Sequence, residues 1–147
     1  MQYKFGKPIA SAKLEGSREY PLIRGQVLFF QLPVGVLVRA EVSGLPDNDS
    51  GFFGFHIHEG ANCDSPRFVG AGSHYSRAPQ PHPKHQGDLP PLLAYYHSAY
   101  MAAITNRFSI DEIIGRTVVI HSKPDDFTSQ PAGNSGERIA CGVILKR

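Results

Sequence analysis

From Phe53 to His58 the chain alternates with a period of two. Phe53, Phe55 and Ile57 fall on one side, and Gly54, His56 and His58 on the other. An extended strand separates residues in this way, because its successive Cβ atoms leave on opposite faces. The apolar side must be buried. The other side carries two imidazoles close enough to bind one ion, directed outward from the core toward the flanking loops. This short segment therefore commits the chain to a half-buried strand whose outer face carries two imidazoles, either a metal-binding pair or solvated side chains.

The same period recurs along the chain. Val36, Val38, Ala40 and Val42 share a face, opposite Leu37, Arg39, Glu41 and Ser43. Further strands are expected over Ala10 to Leu14, Leu22 to Leu32, Ala99 to Ile104, Thr117 to His121 and Arg138 to Leu145. Ser109 to Gly115 reads as a capped turn, with Ser109 as N-cap and Glu112 three residues on. With 15 Gly and 12 Pro punctuating these runs, the expectation is an all-β sandwich or flattened barrel of about eight antiparallel strands. Two stretches lack any period, Glu59 to Pro91 and Ser122 to Glu137; loops of that length in a compact domain are usually functional. A chain of 147 residues reads as one domain, 1–147.

Several classes are excluded. The formal charge is +2 and the basic residues are scattered, so no nucleic-acid partner is expected. The longest apolar run, Val27 to Val38, is broken by Gln31, Pro33 and Gly35 and cannot span a membrane as a helix. Met1 to Ala10 carries no apolar leader. As the chain stands it reads as cytoplasmic; trimmed before Met1, it would be periplasmic or extracellular. Cys63 and Cys141 could form one bridge, which suits an oxidising compartment and sits uneasily with the missing leader.

Most of the chemistry-bearing residues fall in or beside the first loop. His74, His82, His85 and Asp88 offer three imidazoles and a carboxylate, a complete tetrahedral zinc set. With His56, His58 and His121 added, the ligands are too many for one structural site and suffice for two adjacent metals. His97, in Tyr95-Tyr96-His97-Ser98, reads as a solvated turn residue.

These residues carry a resemblance. Gly54-Phe-His56-Ile-His58-Glu59, Ala71-Gly-Ser-His74, His85-Gln-Gly-Asp88, Gly115-Arg-Thr-Val-Val-Ile-His121 and Gly136-Glu-Arg138-Ile-Ala-Cys141-Gly-Val-Ile are similar, in unbroken order from about Leu14 to Ile144, to the copper–zinc superoxide dismutases. The step from His58 to Cys63, and Ser129-Gln-Pro131, resemble the bacterial branch most. The two-residue gap between His82 and His85 is shorter than the family's usual one. The resemblance implies a Greek-key β-sandwich with both metals outside it. His56, His58, His74 and His121 would hold copper, and His74, His82, His85 and Asp88 zinc, with His74 bridging. Asp125 would hydrogen-bond His56 and His82 and orient both. Cys63 and Cys141 would form the family disulfide, and Arg138 would dock superoxide beside the copper. The implied reaction disproportionates superoxide to dioxygen and hydrogen peroxide by copper redox cycling, with His74 relaying a proton. Family members are often homodimers, although no feature of the sequence fixes an interface. The alternative is a non-catalytic copper- or zinc-binding module that buffers or delivers metal. A zinc hydrolase using Glu59 as base ranks last, because four protein ligands would close the zinc.

Overall fold

The computed structural model describes residues 5–64 and 66–147. Among them, β-branched and aromatic residues at alternate positions pair into nine strands: β1 (Ala10–Gly16), β2 (Arg24–Leu32), β3 (Gly35–Ser43), β4 (Phe52–Phe53), β5 (Phe55–His58), β6 (Leu92–Tyr95), β7 (Ser98–Thr105), β8 (Thr117–His121) and β9 (Arg138–Lys146). All pairings are antiparallel, in the order β4-β6-β7-β3-β2-β1-β9-β8-β5. The first and last strands of that order are separated along the chain by Gly54 alone. The sheet therefore curls until its edges nearly meet, the almost closed all-β barrel that the alternation predicts.

Inside the curl lies one core that includes Leu14, Val27, Phe29, Val38, Phe53, Phe55, Ile57, Val118, Ile120 and Ile144. Each sits at an inward position of its strand. A smaller cluster of Leu28, Phe30 and Leu37 packs outside the sheet, with Phe5 against Phe30 and the Arg39 guanidinium 5.1 Å from the Phe30 ring centre. This is why both faces of the middle of β2 are buried.

The capped turn forms as α1 (Ile110–Ile113). The Ser109 amide donates to Glu112 Oε2 at 2.7 Å. Strand β6 has no counterpart in the sequence reading, because Leu92-Leu93-Ala94-Tyr95 is short, follows two prolines and shows no clear alternation. It turns into β7 through Tyr96 and His97, both at positive φ, the backbone that a tight two-residue hairpin requires. His97 is half-exposed and pinned at this turn: its Nδ1 donates to the Leu45 carbonyl at 2.9 Å.

Both long loops fold back over β5. This strand pairs with β8 on one side. On the other, the Ile57 amide donates to Gly87 O and the Tyr75 amide to Ile57 O, at 2.9 and 2.8 Å, so the loop covers an edge that would otherwise be open to other chains. His56 and His58 do face outward, as predicted, yet they are 0% and 1% exposed, because the loops form a lid over that face.

Candidate metal centre

Two histidines come from β5, a third from the end of β8, and three more with a carboxylate from the 59–91 loop. The donor atoms of His56, His58, His74 and His121 lie within 4.8 Å of one another, as do those of His74, His82, His85 and Asp88. His74 belongs to both groups. Its ring centre is 3.9 Å from that of His56 and 5.5 Å from that of His85. Every histidine that the sequence reading named as a ligand is thus drawn into one cluster.

The protonation pattern follows from the partners. His58 Nδ1 must donate to the Gly72 carbonyl at 2.9 Å, since a carbonyl only accepts, which leaves His58 Nε2 as a bare lone pair. That atom faces His121 Nε2 at 3.2 Å, and His121 Nδ1 points at Gly136 O. Two lone pairs at that separation repel unless a cation lies between them. Asp125 accepts from His56 Nε2 and from His82 Nε2, both at 2.7 Å; the opposite nitrogens of those rings are then also unprotonated. His56 Nδ1, His74 Nε2, His82 Nδ1 and His85 Nδ1 are buried with no hydrogen-bond partner among the described residues. His82 Nδ1 and His85 Nδ1 stand 3.2 and 3.0 Å from Asp88 Oδ2 without hydrogen-bond alignment, and His74 Nδ1 lies 2.8 Å from Asp88 Oδ1. Tetrahedral metal bonds of about 2.0–2.2 Å put neighbouring donors roughly 3.3–3.6 Å apart, close to these separations. Orphaned lone pairs at such spacing fit two cations.

Electrostatics agree. Burial pushes the His56 ring down to about 4 and holds His58 and His121 well below the usual histidine range, so these rings are neutral, the form that binds metal. Burial alone would raise Asp125, but the hydrogen bonds from His56 and His82 outweigh it and keep the carboxylate ionised. At Asp88 burial is likewise outweighed, here by the hydrogen bond to His74 and by the neighbouring rings.

Arg138, at the start of β9, donates to Phe68 O at 2.8 Å and to Gly72 O at 2.5 Å. Both carbonyls belong to the turn around Pro66–Ala71, which a Cys63–Cys141 disulfide ties to β9. Glu137 instead accepts from the Tyr20 hydroxyl at 2.7 Å, so Arg138 is not spent on a surface ion pair with its neighbour. A cavity of about 210 Å³ opens here, lined by His58, His74, His121 and Arg138 with Pro131 and Gly136. Glu59 is not part of it; its carboxylate takes the Ser73 amide at 3.4 Å.

Some of the framework carries no sequence signal. The Gly72 carbonyl holds both His58 and Arg138, and a backbone acceptor leaves no residue-type trace. Gly133 sits at φ +69°, where an added Cβ would collide with the Asp125 carboxylate and the His82 ring. Gln130 and Arg107 contact the loop backbone rather than any ring; Gln130 stands in the Ser129-Gln-Pro131 stretch that carries the resemblance, but no residue type there marks its role. For Gly133, a glycine within the second loop, close after the predicted Asp125, was the available hint.

The pattern of the copper/zinc superoxide dismutase (SODC) family matches residues 23–144. The chain is similar to Superoxide dismutase (Cu-Zn) 1 of Aquifex aeolicus, 36% identical over 135 residues covering 82% of this chain and 79% of that protein. It is also similar to the Cu-Zn superoxide dismutases of Caulobacter vibrioides, 34% over 137 residues (82% and 77% covered), and of Deinococcus radiodurans, 34% over 143 residues (83% and 77%).

Proposed function

Because the chain belongs to the copper/zinc superoxide dismutase family, we propose the following division of labour among its own residues. The protein is an oxidoreductase that disproportionates superoxide to dioxygen and hydrogen peroxide, and copper and zinc are its metals. His56 through Nδ1, and His58, His74 and His121 through Nε2, hold the copper. His74 through Nδ1, His82 and His85 through Nδ1, and Asp88 hold the zinc. The observation that carries this reading is the set of buried nitrogens without partners, joined by the two Nε2 lone pairs 3.2 Å apart.

Copper, when bound, supplies the one-electron change of oxidation state, and zinc a redox-inert second charge on the shared ring. While free of the metal, His74 Nε2 would carry a proton taken from water between the two half-reactions and hand it to the second superoxide as that becomes peroxide; the other proton of hydrogen peroxide would also come from water. Asp125 fixes the His56 and His82 rings by taking a proton-bearing nitrogen from each. Arg138 keeps free N–H donors beside the cavity after its two carbonyl bonds, enough to dock a small anion. That cavity, with the Arg138 guanidinium in its wall, favours the enzyme over a buffering module, which needs no substrate space.

The chain reads as one domain, since a single core joins strands from β1 to β9. A disulfide spanning 78 positions favours an oxidising compartment such as the periplasm; no helix of the described residues is long and apolar enough to cross a membrane. A homodimer through the outer face of β4, β6 and β7 is supported by Phe52, Leu93, Tyr95, Tyr100 and Ile104, which are 39–75% exposed. Sedimentation should find a dimer that Tyr100→Glu converts to monomer; a monomeric parent protein at all concentrations removes that part of the reading.

The test of the site is metal analysis joined to a superoxide-consumption assay on reconstituted protein. One copper and one zinc per chain, with rapid consumption, is expected. Zinc alone after copper loading would overturn the copper assignment.

A further inference from the structure

His82 and His85 lie on a turn whose main chain has little to hold it. Beyond it, Gly87 is bonded to β5, and Asp88 forms an isolated bridge with His56, so the far end of the segment is part of the sheet edge. Before it Pro79 and Pro81, and within it Pro83, donate no amide hydrogen bond. Within it, the Lys84 amide reaches Pro81 O at 2.8 Å and the Asp88 amide reaches His85 O at 3.2 Å. The His85 amide donates to the Asp88 carboxylate at 3.0 Å, which leaves both backbone groups of His82 and the Pro83 carbonyl for distant side chains to satisfy.

Two distant side chains do so. Gln130 presents its amide edge to edge with His82: Oε1 accepts the His82 N–H at 2.7 Å and Nε2 donates to His82 O at 2.8 Å, with Thr128 O also within reach at 3.0 Å. Arg107, between β7 and α1, donates from Nη1 to Pro83 O at 2.7 Å and to His85 O at 3.3 Å. We propose that Gln130 and Arg107 are positioning residues that clamp the backbone of this turn, presetting His82 and His85 for zinc where the turn's own few hydrogen bonds leave His82 and Pro83 unheld. The inference rests on the zinc assignment above.

The two clamps act on different points. Gln130 comes from the same loop as Asp125, so that loop grips His82 twice, by main chain through Gln130 and by ring through Asp125. Rotation of the His82 ring and displacement of its Cα are both suppressed. Arg107 fixes the carbonyls on either side of Lys84, which sets the direction in which the His85 ring leaves the chain. Neither residue lines the cavity beside Arg138, so their direct contacts are on the zinc side.

The experiment is zinc release from the fully loaded protein to a chromogenic chelator, with cobalt(II) in the zinc position as a spectroscopic reporter. Gln130→Ala and Arg107→Ala should each speed release about tenfold or more, the usual consequence of removing an outer hydrogen-bond partner, and should shift the cobalt bands. The melting temperature of the metal-free protein should stay where it is. Arg107→Lys should restore slow release, because one nitrogen makes both Arg107 bonds. Gln130→Glu should not, because its carboxylate would face the His82 carbonyl. Unchanged release in both alanine variants overturns the clamp, as does a metal-free protein destabilised as much as the loaded one. Asp88→Ala separates the two readings: if it abolishes zinc binding while the clamp variants change nothing, only the clamp is lost. A parent protein that takes up no zinc overturns both.

Discussion

Two halves of the metal centre are built in opposite ways. His56, His58 and His121 stand on β5 and β8, where pairing between strands, and for His121 its amide bond to Gly54 O, holds their Cα positions. His82, His85 and Asp88 stand on a loop whose shape depends on side chains borrowed from elsewhere. Strand-borne ligands are preorganised and dry. Loop-borne ligands gain their order from a carboxylate, an amide and a guanidinium, each a separate point of failure. His74 and Asp125 are where the two constructions meet.

The sharpest way to expose the difference is acid, applied to metal-free protein. Burial depresses His56 to about 4 and His58 and His121 well below 6.5. Folded, these rings stay neutral; unfolded, they take up protons as the pH falls through about 6.5. Stability is therefore complete above that pH and is lost on descent toward 4. The slope is about 1.4 kcal/mol per pH unit for each proton, up to about 4 kcal/mol per pH unit for three rings, or about 6 kcal/mol between pH 6.5 and 5. Urea unfolding of the metal-free protein at pH 7.5 and 5 measures it, and bound metal should shift the loss to lower pH. A flat profile would mean that the sheet-borne half is not dry.

The disulfide comes next in size. Closing a loop across 78 positions is worth about 4.5 kcal/mol in the chain-entropy account. Cys63→Ser with Cys141→Ser should lower the unfolding free energy by about that amount. Because the turn it anchors carries Phe68 O and Gly72 O, the loss should reach Arg138 and His58 while zinc release stays slow. Equal damage to both metals would break the comparison.

The legibility of the site follows the same division. His56-x-His58 and the apolar face of Phe55 and Ile57 could be read from period two, because a strand writes its faces into its sequence. His74, His82, His85 and Asp88 could be read only as ligand types crowded into one loop. Which nitrogen faces which partner had no trace, since it depends on Asp125 from another loop and on carbonyls. Strand β6 escaped because four residues after Pro90-Pro91 cannot display a period. That His56 and His58 are buried follows from the loops lying over β5, a tertiary fact that alternation does not encode.

Asp125 tests the junction. Asp125→Asn keeps the shape but offers one acceptor oxygen, so either His56 or His82 must lose its acceptor and face an N–H donor instead. A buried group left without its partner costs about 1–3 kcal/mol, and metal retention should fall about 10–100-fold. Elemental analysis after dialysis against chelator reads which metal leaves first. Zinc should, because His56 is still held by β5 and His82 has only Gln130 left. Copper leaving first would show that the ladder does less for its rings than the clamps do for theirs.

The smallest effect tests what the two halves would share, the proposed route in for the anion. Arg138→Ala should lower kcat/KM roughly tenfold, about 1.4 kcal/mol of transition-state stabilisation, and should flatten its dependence on ionic strength between about 0.01 and 0.2 M, where the screening length shrinks from roughly 30 to under 10 Å. Arg138→Lys separates docking from attraction. The ammonium keeps the charge and so most of the salt dependence, but it cannot span Phe68 O and Gly72 O as the guanidinium does, so the rate at any one salt concentration should fall between the other two proteins. If lysine performs as well as arginine, charge alone suffices and the disulfide-tied turn does not need to aim the side chain. If alanine performs as well, the sheet-borne rings receive superoxide without help from the loop, and the two halves are independent even at the cavity they border.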